Sequence, residues 1–400
     1  MRKWLEEKID FASGILVASF FAVPALRSVV GIGQSAYFLL IGLILAIVLF
    51  KTWMGQTRRL GTHERWFVGG SLLLLGWLLM TVFWTASNEQ YGRDILLVGG
   101  LLALVTSVPF VIGRNTLKAA IGTLSVVGCA VGGYVIYGYA TIDSLGGYNV
   151  IFGEFYLTVA QSIGAATVGL TIHTLFAQRR RWWQWGAVLF LFLTLALSLA
   201  RGALLFTVLI VVISVLYALF RPSLGRSSIG AYLKSILGRA AGTGAVVGVG
   251  ALIFTVALTV EKTARRLILL LSGGGSSVAV RLQLWRASSE NIAEAPILGY
   301  GLGSNGIMAG ATEAAYPHNF LLQVWLDGGI VALLLAAFVV GLPLWAFLRS
   351  DQTAGALELS LLGVYVFMVL EYSKSYNFYT SRLLFIFGIL ALSSFRKLEC

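Results

Sequence analysis

Long unbroken apolar stretches alternate along most of the chain with short polar segments rich in Lys and Arg. Each stretch is near the ~20 residues that a helix needs to cross the hydrocarbon core of a bilayer. The runs are continuous, unlike the alternating segments of about 10 residues that build a membrane β-barrel. The pattern predicts spans at 11–30, 34–53, 66–86, 94–112, 115–137, 151–177, 184–200, 202–220, 240–260, 320–348, 354–371 and 382–395. The expectation is an all-α polytopic membrane protein of about twelve transmembrane helices. Its first nine spans fall in 1–260, a polar loop with amphipathic helices in 261–319, and the last three spans in 320–400. The charged stretch Met1 to Asp10 is followed by no convincing small-residue cleavage site, so the first span is read as a retained helix.

Composition narrows the class further. Of 400 residues, 58% are hydrophobic and 12% charged, where a soluble domain carries about 25% charged residues. Such a chain cannot cover a water-facing surface, which excludes a soluble enzyme, a disordered chain and a disulfide-rich secreted domain. Cys129 and Cys400 make no disulfide framework, and no Cys/His cluster has zinc-ligand spacing. The formal charge of +12 is unevenly spread, and that sets the orientation. With the N-terminus inside, inner segments hold Lys8, Lys51, Arg58, Arg59, Arg65, Lys118, Arg179 to Arg181, Arg349 and Arg396, among others. The short outer loops hold only Arg27, Arg93, Arg201, Lys374 and Arg382. By the positive-inside rule both termini are cytoplasmic. The bilayer is the solvent, and no nucleic-acid partner is expected.

The long outer loop departs from this distribution by carrying Lys262, Arg265, Arg266, Arg281 and Arg286. Two readings stand: attraction to anionic headgroups, or a phosphate or pyrophosphate ligand held by several guanidiniums. Within the loop, Ser272 to Ser277 is a glycine-rich break. Val278, Leu282 and Trp285 then recur at helical spacing and predict an amphipathic helix over about Ser277 to Ala293. Arg281 lies one turn before Trp285, and Arg286 lies toward the flank; a helix lying on the bilayer would look similar. In Pro296 to Ser304, Gly299, Gly301 and Gly303 hint at a phosphate cradle. The run lacks the Lys-Ser/Thr ending of a nucleotide-binding loop and the strand that should precede it.

Tyr316-Pro317-His318-Asn319-Phe320 stands at the foot of the next span. Pro317 suits the first helical position, which places His318 in the first turn, where the helix dipole lowers an imidazole pKa. A neutral imidazole can accept a proton from a hydroxyl near neutral pH. A lone histidine is more often structural, but the arginine-rich surroundings favour a functional one; His63 and His173 have no comparable setting. Arg201, squeezed between two apolar runs, either marks a ligand or ends a helix by snorkelling. Asp10, Asp94, Asp143, Asp327 and Asp351 have no neighbouring carboxylate, so no acidic pair is on hand for a divalent metal. Glu154 and Glu371, near outer span ends, suit either countering an arginine or orienting an acceptor.

Together these pieces resemble the O-antigen ligase (WaaL) family, within the wider O-antigen ligase/polymerase superfamily. The resemblance rests on Ser198-x-x-Arg201-Gly202, Arg281-x-x-x-Trp285, Pro296-x-x-Gly299-x-Gly301-x-Gly303-Ser304, His318-Asn319-x-x-Leu322 and Asp327-Gly328-Gly329. It covers about residues 195–345; Ala200 stands where Ser is common in the family. The resemblance implies a GT-C-like glycosyltransferase of the bacterial inner membrane with a periplasmic active site. The implied donor is O-antigen on undecaprenyl pyrophosphate, the acceptor a hydroxyl of lipid A–core oligosaccharide, and the reaction inverting, with no metal or cofactor. It also implies His318, Arg201 and Arg281 as catalytic residues, with Arg265, Arg266, Arg286, Asn319 and Tyr316 binding substrate. An O-antigen polymerase and a protein O-oligosaccharyltransferase are the neighbouring readings, and a lipid-linked sugar transporter the distant one.

Overall fold

The computed structural model describes residues 2–23, 35–56, 58–85, 91–141, 156–177, 181–198, 200–220, 276–304, 316–350 and 354–396. Among them are twelve α-helices and no strand. They are α1 (Arg2–Ser19), α2 (Ser35–Trp53), α3 (Thr62–Met80), α4 (Tyr91–Val111), α5 (Arg114–Thr141) and α6 (Tyr156–Phe176). The later six are α7 (Trp182–Leu197), α8 (Arg201–Phe220), α9 (Ser276–Glu294), α10 (Phe320–Arg349), α11 (Ala356–Lys374) and α12 (Arg382–Phe395). Eight are long and apolar enough to cross a membrane, and α7 and α12 are shorter apolar helices. The chain is thus a polytopic, all-α membrane protein, as its apolar pattern predicts. The first helix starts at Arg2 rather than at 11, and the span expected at 240–260 lies outside the described residues. The expected loop helix is α9.

Helix α6 is the axis of the bundle and packs against α5, α7, α8 and α11. Lipid tails are as apolar as Leu, so helices in a bilayer gain little from burying apolar surface and depend on close packing instead. Small residues supply that closeness here. A Cβ at Gly128 of α5 would lie 2.2 Å from the Ala166 Cβ of α6, and one at Gly363 of α11 would lie 2.2 Å from Ile172 Cδ1. Around this axis α1 lies on α5, α3 on α10 and α11 on α12.

The two ends of the bundle differ in chemistry. At one end Lys51 Nζ bonds Asp10 at 2.7 Å and the Val111 carbonyl at 3.1 Å. There, too, buried Glu64 pairs with Arg58, accepts from the Ser393 hydroxyl, and faces Arg396 at 3.9 Å. At the other end lie the starts of α8, α10 and α12, the end of α11, and α9.

The packing argument gives a direct test. Gly128→Leu should destabilise the protein in detergent by about 1–3 kcal/mol, the usual cost of overpacking. Gly122→Leu, where a Cβ meets no atom within 4 Å, should leave the melting midpoint unchanged; equal losses in the two variants would refute close α5–α6 packing.

Candidate active site

The scaffold of this end is a broken helix. Gly329 adopts φ 67°, ψ −167° and interrupts α10 after its first nine residues, 320–328. A break leaves backbone groups without their helical partners, and the loop Pro296–Ser304 supplies replacements. Tyr300 N–H donates to the Leu326 carbonyl at 2.8 Å, Gly301 N–H to Asp327 at 2.9 Å, and Ile330 N–H to Pro296 at 2.9 Å. Trp77 Nε1 donates to the Gly328 carbonyl at 2.7 Å, and the Tyr379 hydroxyl donates to buried Asp327.

The glycines make this clasp possible. Gly299, Gly301 and Gly329 all have positive φ. A Cβ at Gly299 would lie 2.6 Å from the Leu326 carbonyl oxygen, one at Gly301 2.5 Å from Thr85 Cα, and one at Gly329 1.9 Å from the Ile297 oxygen. A phosphate cradle needs free N–H groups. Those of Tyr300, Gly301 and Leu302 are taken up by Leu326, Asp327 and Thr81 Oγ1. The alternating glycines therefore join backbone to backbone, and two motifs that are separate in sequence form one structural unit.

His318 sits just ahead of that helix. The first turn belongs to Asn319, whose Oδ1 accepts from the N–H groups of Leu321 (3.0 Å) and Leu322 (3.2 Å) as the N-cap. Pro317 is thus outside the helix, contrary to the expectation from sequence, and His318 takes φ 55° in the preceding turn. With its oxygen committed to the cap, Asn319 serves the helix start. Trp285 Nε1 of α9 donates to the Pro317 carbonyl at 2.6 Å, which ties the loop helix to the His318 turn. The Tyr316 and His318 rings lie 4.2 Å apart.

The imidazole pKa is lowered to about 4, first by burial and then by the charge of Arg281. Burial pushes the Tyr316 phenol up, while Arg281 opposes that shift. His318 Nδ1 is enclosed and has no hydrogen-bond partner among the described residues.

Arg281, half-buried on α9, faces Glu371 of α11 as well as His318 and Tyr316. Glu371 is fully buried and pairs with Lys374 at 3.1 Å. Lys374 in turn lies over the Phe206 ring, 5.5 Å from its centre, and against Gly202. Through Lys374 the start of α8, where Arg201 is half-buried, joins the same end of the bundle. Lys374 is the addition that motif reading misses, and Glu371, which the sequence offers as a counter to an arginine or an orienter of an acceptor, is its partner. Their signal in sequence is a Glu and a Lys three residues apart at the end of an apolar run. Arg286 is set apart: its side chain is 84% exposed and pairs with Glu290 at 3.1 Å along α9. Arg265 and Arg266 lie outside the described residues. Among those described, no three His, Cys, Asp or Glu side chains form a group that could hold a metal.

Comparison with known proteins gives one family match and one curated relative. Residues 186–337 match the profile of a family described as O-antigen ligase. The matched stretch includes Arg201, Arg281, Tyr316, His318 and both halves of the glycine clasp, and ends before Glu371. A protein of Rickettsia conorii named "Putative polysaccharide ligase" is 40% identical over 72 residues, covering 15% of this chain and 18% of that relative. The chain thus spans under one-fifth of the relative it matches.

The cause of the histidine shift can be measured. NMR of labelled imidazoles should place the His318 midpoint near 4, and Arg281→Gln should raise it. Unfolded histidine titrates near 6.5, so the unfolded chain takes up a proton between about pH 6.5 and 4 that the folded chain refuses. His318 therefore has no effect on stability above pH ~6.5 and lowers it as pH falls through that window. A midpoint near 6.5, unmoved by Arg281→Gln, would remove both causes.

Proposed function

From the match of residues 186–337 to the O-antigen ligase family, we propose a membrane glycosyltransferase that ligates polysaccharide. It moves O-antigen from undecaprenyl pyrophosphate to a hydroxyl of lipid A–core oligosaccharide. The observation that supports this most is the reach of the Arg281 charge: half-buried on α9, it acts on His318, on Tyr316 and on the buried Glu371 that pairs with Lys374. An anion is favoured beside Arg281 and Lys374, and a hydroxyl can approach His318.

The chemistry follows from that arrangement. The acceptor oxygen attacks the anomeric carbon, the glycosyl–phosphate bond breaks, and its electron pair leaves on the pyrophosphate. Arg281, Lys374 and Arg201 stabilise that leaving charge, with Arg265 and Arg266 as further cations for the donor. The acceptor proton passes to His318 and then to solvent. An imidazole with a pKa near 4 is neutral at working pH but a weak base. The donor pyrophosphate offsets the Arg281 charge and raises His318 toward the range where proton transfer is effective. The glycosyl pyrophosphate is already activated, so no ATP enters. In-line attack inverts the anomeric carbon.

The protein is oriented in the inner membrane with both termini cytoplasmic and this site on the periplasmic face. The Glu64 and Lys51 end then lies inside with the short basic loops, and the His318 end outside, where lipid-linked glycans meet.

The test uses purified protein, lipid-linked glycan and lipid A–core in EDTA without nucleotide. Glycan should move onto the core. His318→Ala should lower the rate by about 10²–10⁴-fold, and Arg281→Ala by about 10²–10³-fold. Lengthening of lipid-linked glycan with no core present would replace ligase by polymerase, and a dependence on added metal would sink the arginine mechanism.

A further inference from the structure

Arg382, the first residue of α12, keeps only 5% of its surface exposed. Its guanidinium lies 4.3 Å from the centre of the Tyr37 ring. It has no hydrogen bond or ion pair among the described residues, and its Nε is enclosed without an acceptor. Other cations withdrawn from solvent are treated differently: Lys51 faces Asp10, Arg58 faces Glu64, and Lys374 faces Glu371. A ring face offsets only part of the cost of desolvating a cation. The position adds to the problem, because a helix N-terminus is itself positive.

The surroundings supply no carboxylate among the described residues. Gln161 of α6, 3% exposed, lies beside Tyr372 and within reach of its hydroxyl. The Tyr372 hydroxyl is directed to the Thr380 carbonyl at 3.4 Å. Tyr372 follows Glu371 in the chain, so successive residues at the end of α11 face two cation groups. Glu371 meets Lys374 and Arg281, and Tyr372 meets Arg382.

We propose that Arg382 forms a second anion subsite that takes the phosphoryl oxygens of a lipid. The planar guanidinium matches two oxygens of such a group, and the negative charge supplies what the protein leaves out. A sugar hydroxyl satisfies the donors but not the charge. The subsite is independent of which glycan is transferred. Its readout is binding, so its failure is separable from failure of the transfer chemistry.

The full chain is delipidated in dodecyl maltoside, which carries no phosphate, and melted against phosphatidylglycerol, a polyprenyl monophosphate, and inorganic phosphate. A phosphorylated lipid should raise the melting midpoint of the wild type. Arg382→Met should need at least about tenfold more lipid for the same effect, the loss expected for one charged hydrogen-bonding group. Arg281→Gln should keep the Arg382-dependent part. Stabilisation by phosphatidylglycerol would assign the subsite to bilayer lipid, by the polyprenyl phosphate alone to an isoprenoid carrier, and by inorganic phosphate to the headgroup without its chain. Without lipid, Arg382→Met should melt no lower than the wild type, because a buried uncompensated charge has been removed. A clear drop there would make Arg382 a structural residue and overturn the proposal. Unchanged lipid titration in Arg382→Met, or in Arg382→Lys, which keeps the charge but loses the fork, would overturn it equally.

Discussion

In a bilayer every backbone N–H and C=O must find a partner inside the protein, because no water is at hand to replace one. That constraint governs the break in α10. Gly329 leaves the helix, and the carbonyls of Leu326 and Asp327 would stand unpaired if Tyr300 and Gly301 did not donate to them. The glycine loop is therefore the price of an irregular helix at membrane depth. It also brings α9 and its following loop onto α10, and thereby fixes where Arg281 stands relative to His318.

The rest of the site is held from that junction outward. Trp285 fastens α9 to the Pro317 carbonyl, and Asn319 caps the helix just behind His318. The histidine is left in a strained turn with φ 55°, a backbone state that costs free energy and persists only where surrounding contacts impose it. Here those contacts come from α9 and from the start of α10. Electrostatics follow from the same assembly: burial and Arg281 both disfavour the imidazolium, so the ring is held neutral near a cation. The pairing of a neutral imidazole with nearby cations suits a reaction in which a hydroxyl loses a proton while an oxyanion departs.

Position along the chain misleads in instructive ways. Arg286 shares the loop helix with Arg281 but turns to solvent and pairs with Glu290, because five residues is far from a whole number of helical turns. Pro317 suggests a helix start, yet Asn319 wins it, since a side-chain oxygen that satisfies two N–H groups outweighs a ring that merely fits. The alternating glycines read locally as an anion cradle. They prove to be occupied because their partner, Asp327-Gly328-Gly329, lies some 25 residues on in sequence and next to them only after folding.

The apolar pattern by itself determined the class, the helical architecture and nearly all helix positions, because a bilayer admits few ways of burying a backbone. It also offered the candidates for chemistry: the loop arginines, His318 and the Arg201-Gly202 turn. Only the tertiary structure decided that Arg281 and not Arg286 meets His318, and that Lys374 joins them through Glu371 and Gly202. It also left Arg382 buried without a carboxylate among the described residues. The reason is one of range. Hydrophobic periodicity acts over a single helix and is written in consecutive residues, whereas the pairing of charges at the bundle end depends on how α8, α9, α10, α11 and α12 pack.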